Sequence, residues 1–257
     1  VNFQLQQLRR GIKPFRLHWF PRLRSTNDHA ALLRKRGELF APAVVLTGHQ
    51  LAGRGRGSNT WWSGAGSLTV TFVLPIDEHL AAHHVPLIAG VAVRAAAAGL
   101  ASNDDIALKW PNDLLFEGRK LAGLLCERIH KVDLIGVGLN VNVSAGDIPK
   151  TLRDRVTSLN AIAGRDIDMN RVLIAIAGQL HQRLANRDEP SFRELLAEYD
   201  RHHALLGQLV TVSNNGGEPP VTGKCEGLDD MGRLLLRDRK TLHRVIAGNV
   251  AWTPHST

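Results

Sequence analysis

A chain of 257 residues, 44% apolar and 22% charged, is long enough for one substantial core or for a medium domain with a small appendage. No stretch approaches the ~18 uninterrupted apolar residues of a membrane span, and the start, VNFQLQQLRRGIKPF, lacks the apolar core and cleavage site of a secretory signal. The net charge of +8 suits nucleic acid and anionic small molecules alike, while two cysteines, Cys126 and Cys225, exclude a disulfide framework or a cysteine zinc site and point to the cytoplasm.

The chain does not begin with Met, as a processed or truncated start would not. Leu5 and Leu8 stand at helical spacing, then RRGIKPF breaks the pattern; this leader is too short for a helix-turn-helix, so no DNA-binding domain is expected ahead of the core. Leu17–Phe20 reads as a strand. Ser25-Thr26-Asn27 then opens a helix ending near Gly37, with the small polar residues as a cap. Ala43–Thr47 is a second strand, followed by a glycine- and arginine-rich loop over residues 48–60. In SLTVTFVL the residues Leu68, Val70, Phe72 and Leu74 share one face of a third strand.

Residues Val85 to Ala101 form an Ala-rich helix striped by Leu87, Ile88, Val91 and Ala95. Ile106, Leu108 and Trp110 alternate, as do Ile135, Val137, Leu139, Val141 and Val143. Between them LLFEGRKLAGLLCER reads as a hairpin turning at Glu117-Gly118. Two helices follow, striped by Val172, Leu173, Ile176, Leu180 and Leu184, and by Phe192, Leu195, Leu196 and Tyr199. From Gly207 the pattern changes to short strands, LVTVS, VTGKCEGL, RLLLRD and HRVIAGNV, separated by NNGG, DDMG and RKT turns, as in a small all-β module. The fold class is α+β: a mixed, largely antiparallel sheet with flanking helices over residues 1–205, then a β-module over residues 206–257. The twelve histidines include the pairs His83-His84 and His202-His203, which lack metal-site spacing and read as solvated or capping residues; no metal ligands are assigned.

Four short segments carry candidate chemistry. In GHQLAGRGRGSNTWW, Gly53, Gly55 and Gly57 let backbone N–H groups approach an anion, Arg54 and Arg56 supply charged forks, and Trp61 and Trp62 supply flat apolar faces. On its own this loop fits a small-anion site, nucleic-acid binding or a solvated turn; it is no P-loop, since the Gly-Lys-Ser/Thr ending is missing. In LKWPNDLLFEGRKLAG, Lys109 ends a strand that Pro111 stops, Asn112 and Asp113 stand at the turn, and Lys120 and Gly123 lie on the return strand. In IGVGLNVN, Gly136 and Gly138 leave room above a buried strand and Asn140 can reach a polar group. Finally, the cap Ser25-Thr26-Asn27 offers free backbone donors.

Taken in order, RSTN, GHQLAGRGRGSNTW, KWPND with KLAG, and IGVGLN resemble the catalytic domain of biotin–protein ligases, closely from about Leu17 to Asn142 and more loosely to the C-terminal module. The resemblance implies a core like that of class II aminoacyl-tRNA synthetases followed by an SH3-like barrel. It also implies an activity: formation of biotinyl-adenylate from biotin and ATP with Mg²⁺, then transfer to a lysine of a biotin carboxyl carrier domain. By position, Ser25, Thr26, Asn27 and Gln50 would bind the ureido head. Gly53, Arg54, Gly55 and Arg56 would close over the carboxylate and the α-phosphate, and Lys120 and Gly123 would line the biotin pocket. Trp61, Asn112, Leu124 and Asn140 would hold the adenylate, with Arg56, Lys109, Asp113 and Lys120 at the reaction centre. The resemblance allows a homodimer and calls for no membrane. Two departures stand out: bacterial members often read GRGRRGR where this chain has GRGRGSN, and Ala65 stands where a Pro is commoner. A lipoate or octanoate enzyme of the same superfamily is the nearest alternative. A basic nucleic-acid-binding module is a second, weakened because Trp252 is the only aromatic residue of the C-terminal segment.

Overall fold

The computed structural model describes residues 3–185, 189–213 and 219–252. Its centre is a seven-stranded sheet built from β1 (Arg16–Phe20), β2 (Ala43–Thr47), β5 (Ser67–Pro75), β6 (Ala107–Lys109), β7 (Asp113–Phe116), β8 (Arg119–Ile129) and β9 (Val132–Asn140). They are ordered β1-β2-β5-β9-β8-β7-β6, and every neighbouring pair is antiparallel except β1 with β2. The mixed, largely antiparallel sheet expected from the sequence is therefore present. The β7–β8 turn falls at Glu117-Gly118, both with positive φ, as a two-residue hairpin requires. Ile106 and Trp110 flank β6 rather than extending it, and β9 ends at Asn140, short of Val141 and Val143.

The two sheet faces differ in what covers them. Leu68, Val70 and Phe72 lie in one apolar core with Leu87, Ile88 and Val91 of α3 (Val85–Ala101) and the stripe of α5 (Met169–Ala185), while Ala95, expected in the α3 stripe, is only half-buried. All five expected stripe residues of α5 are buried, as are Leu195, Leu196 and Tyr199 of α6 (Glu189–Arg201). On the other face α2 (Thr26–Lys35) contributes Ala30 to a smaller core with Val45, Val73 and Leu134. Beyond α2 this second face is open. Helix α1 (Leu5–Gly11) follows the leader pattern, whereas the short helix α4 (Leu159–Ala163) and the single 3-10 turn at Lys150–Leu152 have no counterpart among the expected elements.

The segment over residues 48–60 is not an open loop throughout. It contains β3 (Gly53–Arg54), which pairs antiparallel with β4 (Thr60–Trp61). Gly55 N donates to Asn59 O at 2.8 Å and Asn59 N to Arg56 O at 3.1 Å, with Gly57 in the left-handed region at the tip. After Gly207 the chain forms β10 (Leu209–Ser213), β11 (Val221–Leu228), β12 (Leu234–Asp238), β13 (Thr241–Val245) and β14 (Asn249–Ala251), an antiparallel sheet in the order β13-β12-β11-β10-β14. The expected single strand HRVIAGNV is two strands, separated by residues 246–248. Among the described residues β13 and β14 are not paired, so the sheet is open between them. The NNGG turn lies outside the described residues. Val210, Cys225, Leu234 and Leu236 join the same large core as α3 and α6.

The histidine pairs are not simply solvated. His84 and His203 are buried: His84 Nε2 meets Met231 O at 2.9 Å and His203 Nδ1 meets Asp200 Oδ1 at 3.2 Å. Each sits where the C-terminal sheet joins the rest of the chain.

Candidate active site

The open sheet face carries a cavity of about 550 Å³. Its floor follows from register. Lys109 pairs with Asp113, Asp113 with Gly123, Gly123 with Gly138, and Gly138 with Thr69, so one row across four ladders carries the floor. The next row on that face runs through Leu125, Gly136 and Thr71. Side chains two residues apart share a face, so SLTVTFVL turns Ser67, Thr69 and Thr71 this way while its apolar alternates face α3.

The glycines of IGVG make room for particular side chains. A Cβ on Gly136 would lie 2.3 Å from Asn27 Oδ1, and one on Gly138 would lie 2.3 Å from Trp61 Cε2. Trp61 therefore lies against β9, with its buried indole N–H lacking a hydrogen-bond partner. A Cβ on Gly123 would meet Lys120 Cε at 3.1 Å and Trp61 Cζ3 at 3.3 Å.

One part of the wall is neutral and polar. Ser25 caps α2 by accepting from Asp28 N at 3.3 Å. Gln50 Oε1 accepts from Thr26 N at 2.9 Å, and Asn27 Nδ2 donates to Leu125 O and to Glu127 Oε2 at 3.1 and 2.8 Å. These groups are buried and held by protein partners, so they present fixed polarity rather than adaptable contacts.

Another part is cationic. The β3–β4 hairpin turns its two arginines differently. Arg54 is held by acids, with Nη2 at 2.7 Å from Asp28 Oδ1 and 2.9 Å from Glu127 Oε2. Arg56 donates from Nη1 to Gly248 O at 3.2 Å and more distantly to Asn112 Oδ1 at 3.4 Å; burial draws its guanidinium below the usual arginine range, though it stays charged. Lys120 Nζ lies 2.7 Å from Asp113 Oδ1 and 5.9 Å from the Trp61 ring centroid. Its backbone is fixed on both sides, accepting from Thr157 N and donating to Arg155 O. Lys109 is half-buried beside Trp252, 5.9 Å from the ring centroid. Burial pulls its ammonium below the ordinary lysine range; Asp113 opposes the shift, and Lys120 and Arg155 add to it.

The cavity thus gathers Ser25, Thr26, Asn27, Gln50, Arg54, Gly55, Arg56, Trp61, Lys109, Asn112, Asp113, Lys120, Gly123 and Leu124 from four separate stretches of sequence. Two expected residues stand outside its lining. Gly53 is packed where a Cβ would lie 2.5 Å from Trp61 O, so it serves the hairpin. Asn140 shares the open face, but its amide donates to Thr157 O at 3.1 Å and accepts from Ser67 Oγ at 3.4 Å. Gly136 and Gly138 line it as the space expected above IGVG implies, while Thr69 and the Gly248–Val250 segment were not anticipated. The polar alternates of SLTVTFVL signalled Thr69; nothing local in AGNVAW signals that it reaches a site almost 200 residues upstream. Among the described residues no group of three or more His, Cys, Asp or Glu gathers to hold a metal.

A polar cleft joined to several cations on one sheet face, under a glycine hairpin, is the kind of site suited to a small polar head and an anion together. Residues 19–144 match the Biotin/lipoate A/B protein ligase family. A biotin–[acetyl-CoA-carboxylase] ligase of Paracoccus denitrificans is 31% identical over 224 residues, covering 83% of this chain and 92% of that protein. The bifunctional ligase/repressor BirA of Bacillus spizizenii is 31% identical over 218 residues, covering 80% of this chain; the present chain spans 65% of its length. Among solved structures, the biotin protein ligase of Aquifex aeolicus in complex with biotin and ATP superposes with a TM-score of 0.82 at 28% identity, covering 92% of this chain and 97% of that one. The chain belongs to the biotin–protein ligase family.

Proposed function

We propose that the protein is an ATP-dependent biotin–protein ligase that forms biotinyl-5′-AMP and passes the biotinyl group to a lysine of a biotin carboxyl carrier domain. The observation that carries this reading is the meeting, in one cavity, of the neutral Ser25–Thr26–Gln50 cluster with Arg56, Lys109 and Lys120. A lipoyl or octanoyl chain has no use for the first group; a cyclic urea does. A nucleic-acid module is disfavoured, because the charge of Arg54, though exposed, is matched by Asp28 and Glu127, and Arg56 turns inward.

In the first step the biotin carboxylate attacks the α-phosphorus of ATP, a P–O bond to pyrophosphate breaks, and a mixed anhydride forms. Two anions must approach, so Arg56, Lys109 and Lys120 offset their repulsion and stabilise the charge of the transition state. Arg54, already held by two acids, acts by fixing the hairpin over the site. Trp61, Asn112 and Leu124 hold the adenylate, while Asn140 supports the floor through Thr157. Mg²⁺ arrives with the triphosphate of ATP as part of the substrate. In the second step a neutral lysine amine of the acceptor attacks the biotinyl carbonyl, the C–O bond to AMP breaks, and the amine loses its proton. Asp113, oriented by Lys120, positions the incoming amine.

This reading includes two units, residues 1–205 for catalysis and residues 206–257 as an SH3-like module, supported by the change of pattern at Gly207 and the five short antiparallel strands. It also includes a cytoplasmic setting, supported by two free cysteines and by the lack of a helix, among the described residues, long and apolar enough to cross a membrane. Biotin incorporation into a carrier domain, assayed with ATP and Mg²⁺ against lipoate as competitor substrate, tests the activity. The Arg56→Ala variant should fold, yet form adenylate at least about 100-fold more slowly. Pyrophosphate release at the wild-type rate in that variant would remove Arg56 from the reaction centre.

A further inference from the structure

Beneath the Ser25–Thr26–Gln50 cluster lies a fully buried hydroxyl to which no role has been given. Thr71 Oγ1 is 2.6 Å from Asn27 Oδ1 and 2.8 Å from Thr26 Oγ1. A hydroxyl carries one proton, so it cannot donate to both. The orientation of Asn27 resolves the choice. Its Nδ2 faces two acceptors, Leu125 O and Glu127 Oε2, so the atom facing Thr71 is the amide oxygen, which can only accept. Thr71 therefore donates to Asn27. At 2.8 Å a proton must also lie between Thr71 and Thr26, and it is the proton of Thr26. The competing acceptor for that proton, Gln50 Oε1, is more distant at 3.4 Å and already takes Thr26 N.

We infer that Thr71 is a specificity-determining positioning residue: by accepting the Thr26 proton it leaves the Thr26 hydroxyl facing the cavity as an acceptor, so that the site selects a ligand N–H there. The donors follow the opposite polarity. Ser25 Oγ accepts from Asp28 N and keeps its proton to donate, and Gln50, with its oxygen on Thr26 N, keeps its amide hydrogens. Donors for a carbonyl beside an acceptor for an N–H are the complement of a cyclic urea. The inference rests on the biotin reading and deepens it. Thr71 touches no ligand itself; it fixes the sense of a hydrogen-bond chain running from the cavity through Thr26 and Thr71 to Asn27.

The test compares the full chain with its Thr71→Val and Thr71→Ser variants, using biotin and the two cyclic carbamates in which either ring N–H is replaced by oxygen. Wild type and Thr71→Ser should prefer biotin over one carbamate by at least about tenfold in kcat/KM. Valine keeps the shape but offers no acceptor, so the Thr26 proton is free to turn toward the ligand. In Thr71→Val the KM for biotin should rise, kcat at saturating biotin should stay within about threefold of wild type, and the preference should fall to within about threefold. Wild-type discrimination retained in Thr71→Val would overturn the inference and leave Thr71 a packing residue. Should that variant not fold, Thr26→Val reads the same acceptor directly, and discrimination surviving there would overturn it equally. A wild-type protein that binds no biotin would instead sink the ligase reading, and with it this inference.

Discussion

At the scale of single residues, the site depends as much on missing side chains as on those present. Trp61 can lie on β9 only because position 138 has no Cβ. A methyl there would meet the indole at 2.3 Å, a distance no rotamer adjustment of the methyl can relieve. Gly138→Ala should therefore lift Trp61 off the floor. Because Trp61 is only half-buried, the fold should lose less than about 1.5 kcal/mol, while biotin transfer should fall at least about tenfold as the wall is misplaced. A transfer assay beside a thermal melt separates the two effects, and unchanged transfer would remove Trp61 from the adenylate site. The room above IGVG was readable from the sequence; its occupants were not. Which side chain fills the space left by a glycine depends on a ladder partner or a hairpin far along the chain. The same limit explains Asn140, whose polar side chain on the right strand face is engaged by Thr157 and Ser67 rather than by the cavity.

At the scale of elements, the hairpin β3–β4 carries the departure noted in the sequence. GRGRGSN lacks the second basic cluster, and the substituted residues Gly57, Ser58 and Asn59 form the turn at its tip. Gly57 has φ of 60°, where a β-branched side chain costs about 1–2 kcal/mol. Gly57→Val should open the turn and loosen the cover over the mixed anhydride. In the absence of acceptor, AMP formation should rise relative to adenylate retained, because water reaches the anhydride. Quenched single-turnover assays measure that ratio, and an unchanged ratio would mean the tip plays no part in excluding water. Long periodic elements were the most legible in sequence: α3 runs from Val85 to Ala101 and the β7–β8 turn falls at Glu117-Gly118, both as their patterns dictate. Short elements were not. A two-residue strand such as Gly53–Arg54 has no period to detect, and its existence rests on cross-strand bonds to Thr60–Trp61.

At the scale of the whole molecule, the C-terminal sheet is coupled to the site by three routes. Its apolar face shares the large core, Gly248 O accepts from Arg56, and Trp252 lies beside Lys109. A fourth contact makes the coupling pH-sensitive. His83 and His84 both place Nε2 on Met231 O, at 3.0 and 2.9 Å, and His84 stacks on Phe192 of α6. Burial, and then the neighbouring His83, hold His84 below the ordinary histidine value of 6.5, with the Met231 contact opposing them. Between its folded and unfolded pKa values the unfolded chain binds more protons, so stability rises with pH across that window. The contribution of His84 is present above pH 6.5 and is lost as pH falls through that value toward the lower folded one. His18, His29 and His202, which burial also lowers, act in the same direction. The Tm should therefore drop by roughly a few degrees between pH 7.5 and pH 5.5. Glutamine at position 84 keeps a donor for Met231 O but cannot take up a proton, so in His84→Gln the drop should be smaller, with the remainder coming from the other histidines. Thermal melts at the two pH values read the slope directly; an identical slope in wild type and His84→Gln would show that the junction between the C-terminal sheet and α6 does not sense acid through this residue.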